Sequence, residues 1–221
     1  SFFRDDYAFD ALRTQKDELA RGGHTPGSLI RVWSTGCSTG EEPYSLAMLL
    51  HEYNEEMKQG FKLQIFATDI DSQAVATARA GMYPANIASD ISPERLSRYF
   101  TREPGGGSYR INKVIRDMLV FSEHDLLKDP PFSKLDLISC RNLLIYLDTD
   151  LQKRVIPLFH YALNPGGLLF LGTSETVGDH NDLFAMIDRK PRGCRFKRGM
   201  QRSCRRIIQS HRGSRPLAMA G

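Results

Sequence analysis

The stretch RVWSTGCSTGEE, residues 31–42, constrains the fold more than any other part of the chain. It contains the end of an apolar strand, Leu29 to Trp33, then a turn with two glycines, Gly36 and Gly40, and then a helix that begins at Glu41. A strand, a glycine-rich turn and a helix N-terminus form the nucleotide-binding corner of open α/β sheets, where glycine lets a ligand approach the backbone. The sequence therefore predicts an α/β fold with a nucleotide-like ligand at the end of its first strand.

The two acids at the start of the predicted helix, Glu41 and Glu42, bear on the kind of ligand. Their negative charge would repel a phosphate group, whereas a cationic or amine-bearing nucleoside would be attracted. The alternative is that the two glutamates and Pro43 only favour the first turn of a helix. This stretch alone leaves both interpretations open.

A second acidic position follows the second predicted strand, which covers residues 61–68. Asp69 comes directly after this strand, 29 residues beyond Gly40. In Rossmann-like sheets an acid at that place holds the ribose hydroxyls of the ligand. The alternative is that Asp71 and Ser72 merely cap the next helix, and both interpretations can hold together.

Another buried strand is predicted from Leu135 to Cys140, and it runs directly into Arg141 and Asn142. Polar residues at the carboxyl end of a central strand face the ligand crevice of such sheets. An amphipathic helix over residues 150–163 and a strand over residues 168–171 are predicted to follow. The chain would then close with a hairpin within residues 181–196.

Residues 109–121 alternate loosely between apolar and polar and interrupt the succession of strands and helices, which predicts a small β-hairpin. A short helix with Ser92 as its cap precedes this segment. We therefore assign about residues 92–122 to an inserted antiparallel subdomain within a domain of residues 1–198.

The net charge of +4 conceals an uneven distribution of charge. Of the 30 Lys and Arg residues, 11 lie in residues 189–221, where there is no acid, so the remainder holds 19 basic against 26 acidic residues and is acidic overall. A basic end can bind nucleic acid or an acidic partner. We favour a disordered, solvated tail over residues 199–221 and do not expect a nucleic-acid partner.

Composition excludes several other classes of protein. The chain is 41% hydrophobic, but its apolar runs are far too short for a membrane span, so no membrane insertion is expected. The four cysteines are widely spaced, which argues against a disulfide framework and suits a reducing cytoplasm. The histidines are scattered as well, and no metal site is predicted.

The segment from Gly36 to Gly40 also fits the G-x-S-x-G motif of α/β-hydrolases, with Ser38 as the nucleophile. Only one strand can precede Ser38, whereas that motif normally follows several strands. The chain also has no HGGG-type stretch for an oxyanion hole. A serine hydrolase is therefore the less favoured alternative.

Five segments in order, FFRDD, RVWSTGCSTGEEPYSLAM, FATDID, LDLISCRNLLIYL and LNPGGLLFLGTSE, resemble the chemotaxis receptor glutamate O-methyltransferases, the CheR family. The resemblance covers about residues 1–198. It implies a Rossmann-like fold that binds S-adenosylmethionine (SAM), with a small inserted antiparallel β-subdomain. It also implies a preceding helical domain, which is absent before Ser1, and its absence would reduce the affinity for SAM. The abrupt start on Phe2 and Phe3, which would have little to pack against, agrees with a missing segment.

The resemblance also implies roles for individual residues. Arg4 would lie near the methyl donor and act in catalysis together with Tyr146, which would lie near the transferred methyl group. Asp69 would bind the ribose, and Asp125 and Leu126 would lie beside the adenine. The full set of implied cofactor contacts is Arg4, Gly36, Glu42, Asp69, Asp125, Leu126, Arg141 and Asn142.

The activity implied by the resemblance is esterification of glutamate side chains in the cytoplasmic domain of methyl-accepting chemotaxis receptors. The products would be a glutamate methyl ester and S-adenosylhomocysteine (SAH). Because a carboxylate with a pKa near 4.3 is already ionised at pH 7, no general base is needed, and positioning supplies most of the acceleration. The alternatives are a SAM methyltransferase with another acceptor and a non-catalytic SAM-binding module of a signalling protein.

Overall fold

A computed structural model describes residues 1–14, 24–58, 60–172, 174–177, 180, 182–186 and 205–209. Its helices are α1 (Asp6–Thr14), α2 (Glu41–Met57), α3 (Ser72–Ala80), α4 (Pro93–Tyr99), α5 (Lys113–Arg116) and α6 (Thr149–Ala162), with 3₁₀ turns at Ala85–Ser89 and Leu144–Tyr146. Its strands are β1 (Leu29–Thr35), β2 (Lys62–Asp69), β3 (Met82–Pro84), β4 (Phe100–Arg102), β5 (Ser108–Ile111), β6 (Leu119–Glu123), β7 (Leu135–Cys140), β8 (Leu163–Leu171), β9 (Phe184–Met186) and β10 (Arg205–Gln209).

Seven of the described strands form one parallel sheet in the order β6-β2-β1-β7-β8-β10-β9. The order reverses at β1, which pairs with β2 on one side and β7 on the other. Ligands of open α/β sheets bind at such a reversal, outside the carboxyl ends of the strands. The predicted α/β fold is therefore confirmed, and its crevice is expected where β1, β2 and β7 end.

The middle of the sheet is apolar on both faces, and β7 is buried along its whole length. One polar residue of this strand, Asp136, lies at its amino end with 5% of its surface exposed. Its carboxylate accepts hydrogen bonds from the Arg31 backbone N–H and the Asn164 amide, each at 2.9 Å. This buried carboxylate joins three strand ends on the side of the sheet opposite the crevice.

The inserted subdomain is a second sheet, in which β5 pairs antiparallel with β3 and β4. The prediction of a hairpin over residues 109–121 is wrong, because β6 belongs to the edge of the central sheet, where it pairs with β2. Leu119 and Phe121 of β6 are buried, and alternation alone cannot tell such an edge strand from a hairpin. The antiparallel strands accordingly lie within residues 82–111, not in the segment that ends at residue 122.

The prediction of a disordered tail is wrong for β10, which lies between β8 and β9 in the central sheet. Ile207 and Ile208 are buried there, and the Arg205 guanidinium donates to the backbone oxygen of Leu163 at 3.0 Å. Burial of two isoleucines outweighs the high charge of the surrounding sequence. The predicted final hairpin overlaps β9, but residues 187–196 lie outside the described residues, as does the rest of the tail.

The N-terminal segment packs closely onto the domain. Phe2 and Phe3 are only 2% and 6% exposed, so both find apolar partners within the chain. The first helix, α1, is described to Thr14, and residues 15–23 lie outside the described residues. In the described part of the chain, no helix is both long and apolar enough to cross a membrane.

Candidate functional site

The glycine-rich turn follows β1 and requires its glycines for local reasons. Gly36 and Gly40 have φ values of +62° and +94°, which residues with a side chain rarely adopt. A Cβ on Gly40 would lie 2.8 Å from the Cβ of Ala78 and 3.0 Å from the Tyr83 hydroxyl, and one on Gly36 would lie 3.2 Å from Leu143. Close packing by the chain itself therefore accounts for both glycines.

The same turn is bonded to the inserted subdomain. The Tyr83 hydroxyl on β3 donates to the backbone oxygen of Thr39 at 2.7 Å. The ring of Phe2 packs edge-on against the rings of Tyr83 and Phe100, with centroid distances of 4.9 and 5.5 Å. The glycine-rich turn, the N-terminal segment and the subdomain thus meet around one tyrosine.

Asp69 lies at the carboxyl end of β2 and holds the glycine-rich turn. One carboxylate oxygen accepts from the Ser38 N–H at 2.7 Å, and the other accepts from the Asp71 N–H at 3.0 Å. Asp71 caps α3 by accepting from Gln73 and Ala74. Each oxygen of Asp69 keeps a further lone pair, so its carboxylate can also accept from a ligand hydroxyl.

Arg141 joins the end of β7 to the N-terminal segment. Its side chain is fully buried, and one guanidinium nitrogen lies 3.2 Å from a carboxylate oxygen of Glu42. A second nitrogen lies 2.9 Å from the Asp5 carboxylate and donates to the Arg4 backbone oxygen at 2.8 Å. A buried charge of this kind is stable only because it is paired and hydrogen-bonded.

Two neighbouring aromatic rings lie beside the same guanidinium, whose carbon is 5.1 Å from the ring centroid of Phe9 and 5.0 Å from that of Phe170. This position allows favourable cation–π contacts with both rings. Arg141, held in this way, fixes the backbone at Arg4, while the Arg4 side chain itself is exposed. The structure thus holds Arg4 at the end of the sheet by its main chain.

Glu42, in the first turn of α2, places its carboxylate beside the end of β7. The Ser139 hydroxyl donates to one of its oxygens at 2.6 Å, and Arg141 pairs with the other. Burial raises the pKa of Glu42 above its ordinary value, although Arg141 and Ser139 act in the opposite direction. A cationic ligand beside this carboxylate would favour its ionised form.

Asp125 and Leu126 follow β6, next to the end of β2. The backbone N–H of His124 donates to the Asp69 backbone oxygen at 2.9 Å, which brings this loop beside Asp69. The Asp125 carboxylate accepts from a backbone N–H of its own turn and pairs with Lys128 at 3.1 Å, and these contacts lower its pKa. Leu126 is half-buried.

Asn142 and Tyr146 lie in the turn after β7. Asn142 is half-buried and has a φ of +57°, in the left-handed region. Tyr146 ends the 3₁₀ turn, and 79% of its surface is exposed. The contacts described above join the glycine-rich turn, Glu42, Asp69, Arg141 and the Arg4 backbone, and they bring the loop of Asp125 and Leu126 beside Asp69. Among the described residues, no side-chain hydrogen bond or ion pair joins Asn142 or Tyr146 to these groups, so the structure places these two only by the turn that carries them.

Sequence reasoning missed two carboxylates at this edge of the sheet. Asp5 stands beside Arg4 and pairs with Arg141, and Glu175 accepts backbone hydrogen bonds from the turn after β7. Both lie in segments that carry the family resemblance, FFRDD and LNPGGLLFLGTSE, but their partners are 136 and 31 or 32 residues away in the chain. The available signal was the position of both acids inside segments that carry the family resemblance.

The geometry gives no support to nucleophilic catalysis by the glycine-rich turn. Of the described strands only β1 precedes Ser38, and within the described residues no hydrogen bond joins its hydroxyl to a histidine. Burial raises the pKa of the neighbouring Cys37 thiol to about 12, with a further contribution from Asp69. That thiol is therefore protonated at neutral pH and a poor nucleophile.

Comparison with known proteins agrees with this geometry. A family model described as CheR methyltransferase, SAM binding domain, matches residues 1–192. The chain is 36% identical to chemotaxis protein methyltransferase 1 of Pseudomonas aeruginosa and 35% identical to chemotaxis protein methyltransferase Cher2 of Pseudomonas putida, covering 86% of this chain and 70% of each relative.

A protein of Rhodobacter capsulatus, named an uncharacterized 104.1 kDa protein in the hypE 3' region, is 42% identical over 192 residues. This match covers 87% of the present chain but 20% of that protein. The domain thus also resembles one part of a much longer protein. The match to the family model over residues 1–192 and the two relatives covered over 70% of their length show that the chain belongs to the CheR methyltransferase family, as a SAM-binding domain.

Proposed function

We propose that this chain transfers the methyl group of SAM to glutamate side chains of chemotaxis receptors, yielding glutamate methyl esters and SAH. The observation that carries the proposal is the family match over residues 1–192, together with relatives named as chemotaxis protein methyltransferases. We place the activity in the cytoplasm, on the cytoplasmic domains of the receptors.

The donor set at the sheet edge fits SAM. A ligand with both a sulfonium and an amine is cationic, and the partly buried Glu42 carboxylate offers it a countercharge. Asp69 keeps lone pairs for ribose hydroxyls, and the loop with Asp125 and Leu126 lies next to it for the adenine. Gly36 completes the proposed pocket, while Arg141 acts on it through Glu42 and the N-terminal segment.

Bound SAM supplies an electrophilic methyl group, and the chain's own residues position the acceptor. A glutamate carboxylate is ionised at neutral pH and needs no base, so the barrier falls mainly through in-line placement. We assign Arg4 to attract the acceptor carboxylate, because its side chain is exposed on a backbone held by Arg141. Tyr146, exposed in the turn after β7, would orient the reacting groups, and Asn142 would contact the cofactor.

A second candidate is a non-catalytic SAM-binding module. It is favoured by the Rhodobacter capsulatus relative, in which the matched region is one fifth of the protein. Methylation of an acceptor other than a receptor is the remaining alternative. All three candidates use the same SAM pocket, and they differ in whether the methyl group is transferred and to which acceptor.

The proposal is tested in two steps. Calorimetric titration with SAH should give one site, and Asp69→Ala should abolish or strongly weaken the binding. Asp117→Ala, which changes an exposed carboxylate between α5 and β6, should bind like the wild type and serves as the control. Methyl transfer from labelled SAM to a receptor cytoplasmic fragment is then measured, with base-labile counts as the sign of a methyl ester.

Receptor labelling lost in both Arg4→Ala and Tyr146→Phe would support the assigned roles, and full activity in both would refute them. Binding of SAH without receptor labelling would favour the module or another acceptor. No binding of SAH by the folded chain would contradict the proposed pocket.

A further inference from the structure

Glu175 is a buried carboxylate at the crevice edge, with 3% of its surface exposed. One of its oxygens accepts from the backbone N–H groups of Leu143 and Leu144 at 2.8 and 2.9 Å. The other accepts from the backbone N–H of Gly172 at 2.8 Å. A single side chain thus fastens the turn after β7 to the end of β8.

The two N–H groups of Leu143 and Leu144 stand at the start of the 3₁₀ turn that ends at Tyr146. N–H groups at the start of a helical turn have no partner within it and need an external acceptor. Asn142, directly before them, adopts a left-handed φ of +57°, a conformation that asparagine tolerates better than most residues with a side chain but that still needs support. Three backbone hydrogen bonds to a charged acceptor are strong enough to hold this conformation.

The surroundings leave the carboxylate little freedom. A Cβ on Gly172 would lie 2.6 Å from a Glu175 oxygen, so the close approach depends on glycine at that place. On the other side of the turn, a Cβ on Gly36 would lie 3.2 Å from the Leu143 side chain. The turn that Glu175 fastens is therefore packed against the glycine-rich turn of the cofactor pocket.

We propose that Glu175 is a positioning residue, which sets the conformation of the turn that carries Asn142 and Tyr146. The proposal rests on the function proposed above, in which Tyr146 lies beside the transferred methyl group. Glu175 itself touches neither reactant, and it acts by holding the backbone of the turn. Its charge also reaches Glu42, whose pKa it helps to raise.

A purely structural role would produce a loss of stability and nothing more. Asp136 provides a matched control, because it is also a buried carboxylate on the β7–β8 pair that accepts backbone and side-chain hydrogen bonds, but it lies at the opposite end of the sheet. Glu175→Gln and Asp136→Asn each replace a charged acceptor by an amide of the same size. In Glu175→Gln, the amide NH₂ must face at least one of the N–H donors.

We expect Glu175→Gln to lower kcat for receptor methylation by about tenfold or more, because misplacement of the reacting groups is costly. Its dissociation constant for SAH should rise by a smaller factor than kcat falls, since the contact with Asn142 is disturbed but the charged groups Glu42 and Asp69 remain in place. Asp136→Asn should lose a similar amount of stability but keep its kcat. Equal kcat values in the two variants would overturn the proposal.

Amide hydrogen exchange gives a readout that does not depend on activity. The amides of Leu143 and Leu144 should exchange faster in Glu175→Gln than in the wild type, and at the wild-type rate in Asp136→Asn. Wild-type exchange in Glu175→Gln would overturn the proposal even if its activity fell. If the wild type proved inactive on receptors, the proposed function would fail while the exchange result stood. Should Glu175→Gln not fold, Glu175→Asp, which shortens the reach and keeps the charge, provides the same test.

Discussion

Replacement of Arg141 by methionine should destabilise the domain more than any exposed charge change. The variant removes the guanidinium, so the carboxylates of Glu42 and Asp5 lose their ion-pair partner. Their side chains are 19% and 27% exposed, respectively. Removing one member of a buried ion pair costs about 3–5 kcal/mol, because the other charge is left uncompensated. Since both carboxylates reach some solvent, we expect about 3 kcal/mol, the lower end of that range. A thioether packs well beside the rings of Phe9 and Phe170, so the loss should be electrostatic.

The assay is urea unfolding followed by the fluorescence of Trp33, the chain's single tryptophan, which is fully buried. With a slope of about 3 kcal/mol per molar urea, a loss of about 3 kcal/mol lowers the midpoint by about 1 M. The matched control is Arg98→Met, because Arg98 pairs with Glu55 at the surface, where such a pair contributes about 0.5 kcal/mol.

A second variant separates charge from packing. Adding Glu42→Gln to Arg141→Met removes one of the stranded charges and should recover about 1–2 kcal/mol, which is a typical coupling between residues in contact. A loss below about 1 kcal/mol in Arg141→Met would contradict the view that this arginine compensates buried charge. The same conclusion would hold if the double variant were less stable than the single one.

The same edge of the sheet supports three further predictions. The pKa of Glu42 in the folded state is raised above its ordinary value of 4.5, so the folded state binds the proton more firmly than the unfolded chain does. The stability of the wild type relative to Glu42→Gln should therefore fall as the pH rises above 4.5, by up to about 1.4 kcal/mol per pH unit. Urea midpoints measured from about pH 4.5 to 7 would show this fall, and a stability difference that does not change with pH would contradict it. Cys37, with a pKa raised to about 12, should not be alkylated by iodoacetamide at pH 8 in the folded protein but should be alkylated in urea. Peptide mass spectrometry measures the alkylation, and rapid alkylation of the native thiol would disprove its burial. Gly40→Ala should lower the free energy of unfolding by about 2–4 kcal/mol, because of backbone strain and overlap with Ala78. Gly105→Ala, at a similar φ of +90° but with open space around it, should lower it by only about 1 kcal/mol, and similar urea midpoints for the two variants would refute the packing role of Gly40.

The succession of elements around the crevice could be predicted because each depends on local chemistry. The capping preference of Asp71 and Ser72 predicts the start of α3, and Gly81 ends this helix in the left-handed conformation. The apolar run of β7 followed directly by Arg141 likewise placed polar groups at the sheet edge. Each of these signals lies within a few residues of the feature that it predicts.

The features that escaped prediction depend on distant partners. The alternation at Leu119 and Phe121 is the same for a hairpin and for a strand beside β2, and only the fold decides between them. Ile207 and Ile208 stand in a strongly basic stretch, so their place beside β8 could not be inferred from charge. The role of Glu175 required knowing that the ends of β7 and β8 lie side by side.

The hydroxyl bond from Tyr83 to the glycine-rich turn has a consequence for protein engineering. Exchange of the inserted subdomain between relatives would remove the donor to Thr39 and the ring that packs against Phe2. A chimaera should therefore retain Tyr83 and Phe2 as one unit, whichever parent supplies β4 and β5. The border of a transferable module thus lies inside the insert, after β3, and not at the points where the chain leaves and re-enters the central sheet.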